Sequence, residues 1–171
     1  MATQEKSGRS ENEAGPGRYT TTPFPTYRFR PGSTPHPIRD PDGHSHDKDT
    51  DAVSMDPLAW QRCEPYLFAI DLFNHRYYWE AHEELEAIWN GAGRTSRIAR
   101  FVQGLIQAAA ACLKAELGSP GPAGRLAEAA CEKLADPPAG ALGIDVPELV
   151  RGLRDHVGGA GAGPPVIHLS R

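Results

Sequence analysis

Between Ile98 and Leu113 the chain is apolar around most of a helix's circumference: Ile98, Phe101, Val102, Leu105, Ile106, then Ala108 to Leu113. A helix with so narrow a polar face must be surrounded by other elements. Its neighbours read as helices too. Asp56-Pro57 sets an N-cap before proline at the first helical position, and Pro65 restarts the chain because it lacks the N–H for an i−4 bond. Tyr66 to Phe73 is the first strongly apolar helix, and Asn74-His75-Arg76 reads as a short turn. Trp79 to Trp89 forms a second helix, closed by Asn90-Gly91 and Gly93. Thr95 or Ser96 caps the central helix, which runs to about Leu117 with Gly118 beyond it. Ala123 to Leu134 gives a fourth, stopped by Asp136-Pro137-Pro138. Asp145 and Pro147 open a fifth, and Gly158-Gly159 ends it. No β-alternation of any length interrupts the series. The expected fold is all-α: a single small bundle of about five helices with short connections.

The 171 residues allow one ordinary domain with something left over. The surplus lies at the ends. Residues 1–18 are polar and read as disordered, 19–55 as an extended leader rich in proline and histidine, 56–157 as the helical domain, and 158–171 as a Gly/Pro-rich tail. The leader carries Tyr19, Phe24, Tyr27 and Phe29 among prolines, which favours polyproline-like backbone. Aromatic side chains so placed predict that Tyr19 to about His46 lies across the bundle, with His36 or His44 approaching the second helix. The net charge of −4 lacks the basic field that nucleic-acid binders use. No apolar run reaches the roughly 20 residues of a membrane span, and the N-terminus has no signal-like apolar region. Cys63, Cys112 and Cys131 are widely spaced, odd in number and set among apolar neighbours. They read as small core residues of a protein kept in the cytoplasm.

At 100° per residue the second helix divides into three stripes. Tyr78, Ala81, Leu85 and Ile88 form the core face. Glu80, Glu84 and Ala87 lie roughly opposite, where water is expected. Between them run Trp79, His82, Glu83, Glu86 and Trp89. His82 and Glu86 stand at i, i+4, so their side chains meet. The pattern His-Glu-x-x-Glu resembles the zincin pair of helical ligands with an intervening glutamate as general base, with Glu86 in place of the second histidine. One histidine with carboxylates is a harder donor set, nearer to what manganese or iron accepts. On the central helix Gln103, Gln107 and Lys114 share a stripe. Gln103 and Gln107 facing His82 and Glu86 would satisfy the amides and the site together. These residues predict a largely buried pocket of Trp79, His82, Trp89, Gln103 and Gln107. Glu83 and Glu86 are its candidate catalytic groups. His82, Glu86, His36 and His44 are the candidate ligands of a divalent metal, since one helix supplies too few. The plainer alternative is a helix-stabilising His82–Glu86 pair worth a few tenths of a kcal/mol.

The run Phe73-Asn74-His75-Arg76-Tyr77-Tyr78-Trp79-Glu80-Ala81-His82-Glu83-Glu84-Leu85-Glu86-Ala87-Ile88-Trp89, followed by Phe101-Val102-Gln103-Gly104-Leu105-Ile106-Gln107-Ala108-Ala109, resembles the bacterial family called domain of unknown function 309. The resemblance covers Pro65 to Leu134. It implies a small all-helical fold without an established activity. It also implies that His82, Glu83, Glu86, Trp89, Gln103, Gly104 and Gln107 are motif positions. Arg76 stands where the family usually has glycine.

Three functions fit these residues. The stripe is a polar pocket for a divalent metal or small molecule, with hydrolase-like chemistry in which Glu83 or Glu86 is the base. Or the domain is a non-catalytic helical module that binds another protein, since its helix pair resembles tetratricopeptide hairpins, although no 34-residue repeat is visible. Or the polar cluster is a structural network that fixes helix register.

Overall fold

The computed structural model describes residues 15–48, 51–93, 95–159 and 161–170. Most of the expected disordered start, residues 1–14, lies outside them. Five α-helices follow in order: α1 (Glu64–Asn74), α2 (Tyr78–Gly91), α3 (Arg97–Glu116), α4 (Pro120–Leu134) and α5 (Val146–Val157). Short 3-10 segments at Pro57–Arg62 and Ala139–Gly143 precede α1 and α5. There is no strand among the described residues, only an isolated bridge between Ile144 and Leu169. The fold is thus the small all-α bundle that the sequence predicts.

The caps fall where side-chain chemistry puts them. Asp56 Oδ1 accepts from the Leu58 N–H, Ser96 Oγ from the Ala99 N–H, and Asp145 Oδ1 from the Glu148 N–H. Helix α4 starts at Pro120 rather than Ala123. Proline is tolerated in a first turn, where its missing N–H has no helical partner anyway.

Helix α3 is central, packing against α2, α4 and α5. Its face of Phe101, Val102, Leu105, Ala108, Ala109 and Cys112 is sealed from water. Gly104 sits where α3 meets α4: a Cβ there would lie 2.9 Å from Leu134 Cγ, so only glycine lets the helices approach this closely. The cysteines are free, and Cys112 and Cys131 are buried. Burial pushes the Cys112 thiol up to about 12. Arg97 and Arg100 pair at the surface with Asp136 and Glu132.

Both flanking segments dock on the helices. The buried Asn74, last residue of α1, accepts from the Ile167 N–H and donates to the Ile167 carbonyl, which fixes the C-terminal segment. The leader docks beside it, its Tyr19 hydroxyl accepting from the Leu169 N–H at 2.8 Å, and is held by carboxylates. Asp71 of α1, fully buried, accepts from the Tyr19 N–H at 2.7 Å, the Thr20 N–H at 2.9 Å and the Thr20 hydroxyl at 2.7 Å. Glu80 of α2 accepts from the Phe29 N–H at 2.7 Å, and Glu116 of α3 pairs with Arg30. Phe24 stacks on Phe68 and Tyr77. The leader is a layer of the fold.

The turn from α1 to α2 places Arg76 at φ 68°, the left-handed region. This is the position where the resembled family has glycine. Arg76 Nε donates to Glu116 Oε1 at 2.6 Å, which helps hold the backbone there.

Candidate functional site

Helix α2 positions the candidate groups. Tyr78, Ala81, Leu85 and Ile88 face the core as expected. The stripe opposite them does not face water. Glu80 is 5% exposed and Ala87 2%, and Glu84 is half-buried. The periodicity was sound for α2 against the other helices; the leader supplies the extra cover. Besides its bond to Phe29, Glu80 Oε1 lies 3.1 Å from His44 Nε2, and the Ala87 carbonyl accepts from the Val53 N–H at 2.9 Å. Burial, with the neighbouring Glu83 charge, raises the Glu84 carboxyl above the ordinary glutamate range.

On the next stripe His82, Glu83 and Glu86 converge. Each offers one ligand atom, and these atoms lie within 4.8 Å of one another. His82 Nδ1 is 3.4 Å from Glu83 Oε1, and Nε2 is 3.6 Å from Glu86 Oε1. His82 Nδ1 is buried and makes no hydrogen bond. The side chains are less enclosed than expected: 29% exposed for His82 and 44% for Glu86. Helix α3 does not close over them. No hydrogen bond joins Gln103 or Gln107 to His82 or Glu86, and Gln107 Oε1 is buried without a partner.

The leader histidines reach α2 but not this cluster. The His36 ring meets the edge of Trp79 at 5.6 Å between centroids, and its Nδ1 accepts from the Ile38 and Arg39 N–H groups. His44 turns to Glu80. Residues 80 and 82 are about 200° apart around a helix. A leader pinned on Glu80 therefore cannot also deliver His44 to His82. Neither His36 nor His44 belongs to the metal-competent group.

A cavity of about 590 Å³ lies between the leader and α2. Of the expected pocket residues it takes Trp79, and of the expected catalytic residues Glu83; His82, Trp89, Gln103 and Gln107 are not in its wall. Trp89 packs half-buried against the core. Phe24, Phe68 and Leu72 give the cavity apolar surface, while Glu80, Glu83 and Glu84 make it acidic.

The sequence reading missed Glu80 and Ser45, and it brought His44 to α2 as a metal ligand rather than as their partner; the three stand together in that wall. Ser45 Oγ is 2.9 Å from His44 Nδ1. The side chains of His44 and Glu80 are 6% and 5% exposed. Gly43 makes the turn possible: a Cβ there would lie 2.2 Å from the Pro37 carbonyl oxygen. The Tyr27 hydroxyl accepts from the His44 N–H and donates to the Pro35 carbonyl, which steadies the turn. The only sequence signal was Gly43-His44-Ser45 itself, one short turn in an irregular segment.

Residues 66–126 match the family described as domain of unknown function (DUF309). This segment belongs to that family. The DUF309 segment spans α1 to the first half of α4, so it includes the His82–Glu83–Glu86 cluster and leaves the leader with His44 and Ser45 outside. No curated protein and no solved structure matches the chain. No helix among the described residues is long and apolar enough to cross a membrane.

Proposed function

We propose that the DUF309 segment holds a divalent cation on α2 and presents it to a small molecule in the adjoining cavity, for hydrolytic chemistry. One observation carries this reading: Glu83 belongs both to the metal-competent group and to the cavity wall. His82 and Glu86 are the ligands. Glu83, between them and the cavity, is the general base. One imidazole with carboxylates favours manganese, iron or zinc over calcium, which takes oxygen ligands. The half-exposed position on one helical turn leaves coordination places open for water and substrate. The orphaned His82 Nδ1 speaks against a closed structural network, in which each buried polar atom would be satisfied.

The test is elemental analysis of the full chain purified without an affinity tag, followed by calorimetric titration with Mn²⁺ and Zn²⁺. His82→Ala and Glu86→Gln should each weaken binding by about tenfold or more, which is about 1.4 kcal/mol. If no metal co-purifies and neither ion titrates, or if both variants bind like the parent, the reading fails.

A further inference from the structure

We propose that Ser45, His44 and Glu80 form a nucleophilic triad in the cavity wall that transfers acyl groups from small esters. The three roles are set by geometry. Glu80 Oε1 is 3.1 Å from His44 Nε2, and His44 Nδ1 is 2.9 Å from Ser45 Oγ. A carboxylate only accepts hydrogen bonds, so Nε2 carries the ring proton and Nδ1 turns its lone pair to the serine hydroxyl. That is the relation of nucleophile, base and orienting carboxylate in hydrolytic triads, which are recognised by geometry and not by chain order. The ring nitrogens exchange places relative to the common arrangement, and either is chemically able to take the proton.

The surroundings favour the same reading. Glu80 and the His44 ring are almost wholly buried, so their hydrogen bond is shielded from water. The Phe29 N–H fixes Glu80 from a second side. The Tyr27 ring packs on His44 with centroids 4.6 Å apart. Glu80 Oε2 is buried without a donor, which leaves the carboxylate's charge undiluted for an imidazolium. The cavity volume suits a small ligand. Phe24, Phe68 and Leu72 favour an apolar acyl chain, and Glu83 and Glu84 repel an anionic one. Lys48 also lines the cavity, with its charge acting on Glu84.

In the reaction Ser45 Oγ attacks the ester carbonyl carbon while its proton passes to His44 Nδ1. The tetrahedral adduct collapses, the C–O bond to the alcohol breaks, and Nδ1 returns the proton to the leaving alkoxide. The Ser45 ester is then hydrolysed. Water gives its proton to Nδ1, attacks the acyl carbon, and the serine oxygen leaves and recovers that proton. The sum is ester plus water to acid plus alcohol, with no redox partner.

The experiment treats the full chain with a fluorophosphonate probe and with p-nitrophenyl butyrate, each with and without EDTA. The expected results are a probe adduct on the Ser45 peptide and turnover, both unchanged by EDTA. Survival of the signal in EDTA separates this triad from the metal reading, which the Mn²⁺ and Zn²⁺ titrations test. Ser45→Ala should abolish the adduct and turnover while melting like the parent. Glu80→Gln tests the positioning residue: it should lower kcat by about a hundredfold or more with KM unchanged, because an amide orients the wrong tautomer. A merely structural Glu80 would lower the folded fraction and leave kcat per folded molecule intact. No adduct on Ser45 in the folded chain, or a Ser45→Ala protein that hydrolyses the ester at the parent rate, overturns the proposal.

Discussion

Replacing Asp71 by alanine tests whether the leader is part of the fold. Asp71 is fully buried and accepts three hydrogen bonds from Tyr19 and Thr20, with Arg18 Nε 3.6 Å away. Hydrogen bonds to a charged group are worth about 1.5–3 kcal/mol each, so the simple sum would be about 4.5–9. Two effects reduce it. Removing the carboxylate also removes the cost of burying its charge. In addition, residues 18–22 can lift away and give their N–H groups to water, while Phe29, bound to Glu80, and Phe24, packed on Phe68, keep the remainder docked. The expected net loss is about 2–4 kcal/mol, near that of one or two unsatisfied buried donors. For a chain of this size that lowers Tm by about 4–16 °C. Urea unfolding followed by tryptophan fluorescence measures the loss, and trypsin, cutting after Arg18 and Arg28, reports the lifting. Asp71→Asn, which keeps an acceptor without the charge, should fall between. A variant within about 0.5 kcal/mol of the parent, with the leader no easier to cut, would refute the carboxylate clamp.

Glu84→Gln should stabilise the protein at neutral pH. The Glu84 carboxyl is raised by burial first and by Glu83 second, so ionising it costs more in the folded chain than in the unfolded one. Its contribution is therefore complete below the unfolded value of about 4.3 and lost as pH rises through the folded one. The gain in Tm over the parent should be present at pH 7 and vanish near pH 4; a gain that is constant with pH would contradict it. Arg76→Gly should be nearly neutral, because relief of left-handed strain of about 1–2 kcal/mol offsets the lost Glu116 pair and the added chain entropy. Arg76→Ala keeps the strain and loses the pair, so its urea midpoint should fall below that of Arg76→Gly.

What the sequence made legible was whatever repeats locally. Helix faces follow from 3.6-residue periodicity, so Phe101, Leu105 and Ala109 were readable as core. Caps follow from side chains that reach only two or three residues ahead, so Asp56, Ser96 and Asp145 were readable as starts. The pairing of His82 with Glu86 was legible for the same reason. The role of Glu80 was not. Its partners, Phe29 and His44, lie 51 and 36 residues away in a segment without period. A carboxylate opposite a helix's apolar stripe signals solvent unless something polar is known to cover it. The expected burial of Glu86 failed for the converse reason. The leader covers the Glu84 side of α2, and nothing comparable encloses Glu86.

These two failures have one physical cause, and it bears on function. A lone bundle helix has one buried face, so all its polar groups compete for one solvent-facing arc. Here α2 is covered from two sides: α1 and α3 take the apolar stripe, and the leader takes the stripe of Glu80 and Ala87. Two polar arrangements then become possible on one helix, about 200° apart at residues 80 and 82. His82, Glu83 and Glu86 remain reachable from solvent, as an exchangeable cation requires. Glu80 is withdrawn from water, as a carboxylate that must hold one imidazole tautomer requires. Glu83 and Glu84 line the cavity between these arrangements, and Glu83 also belongs to the metal-competent group. The DUF309 segment alone contains the first arrangement, whereas the second exists only where the leader crosses it.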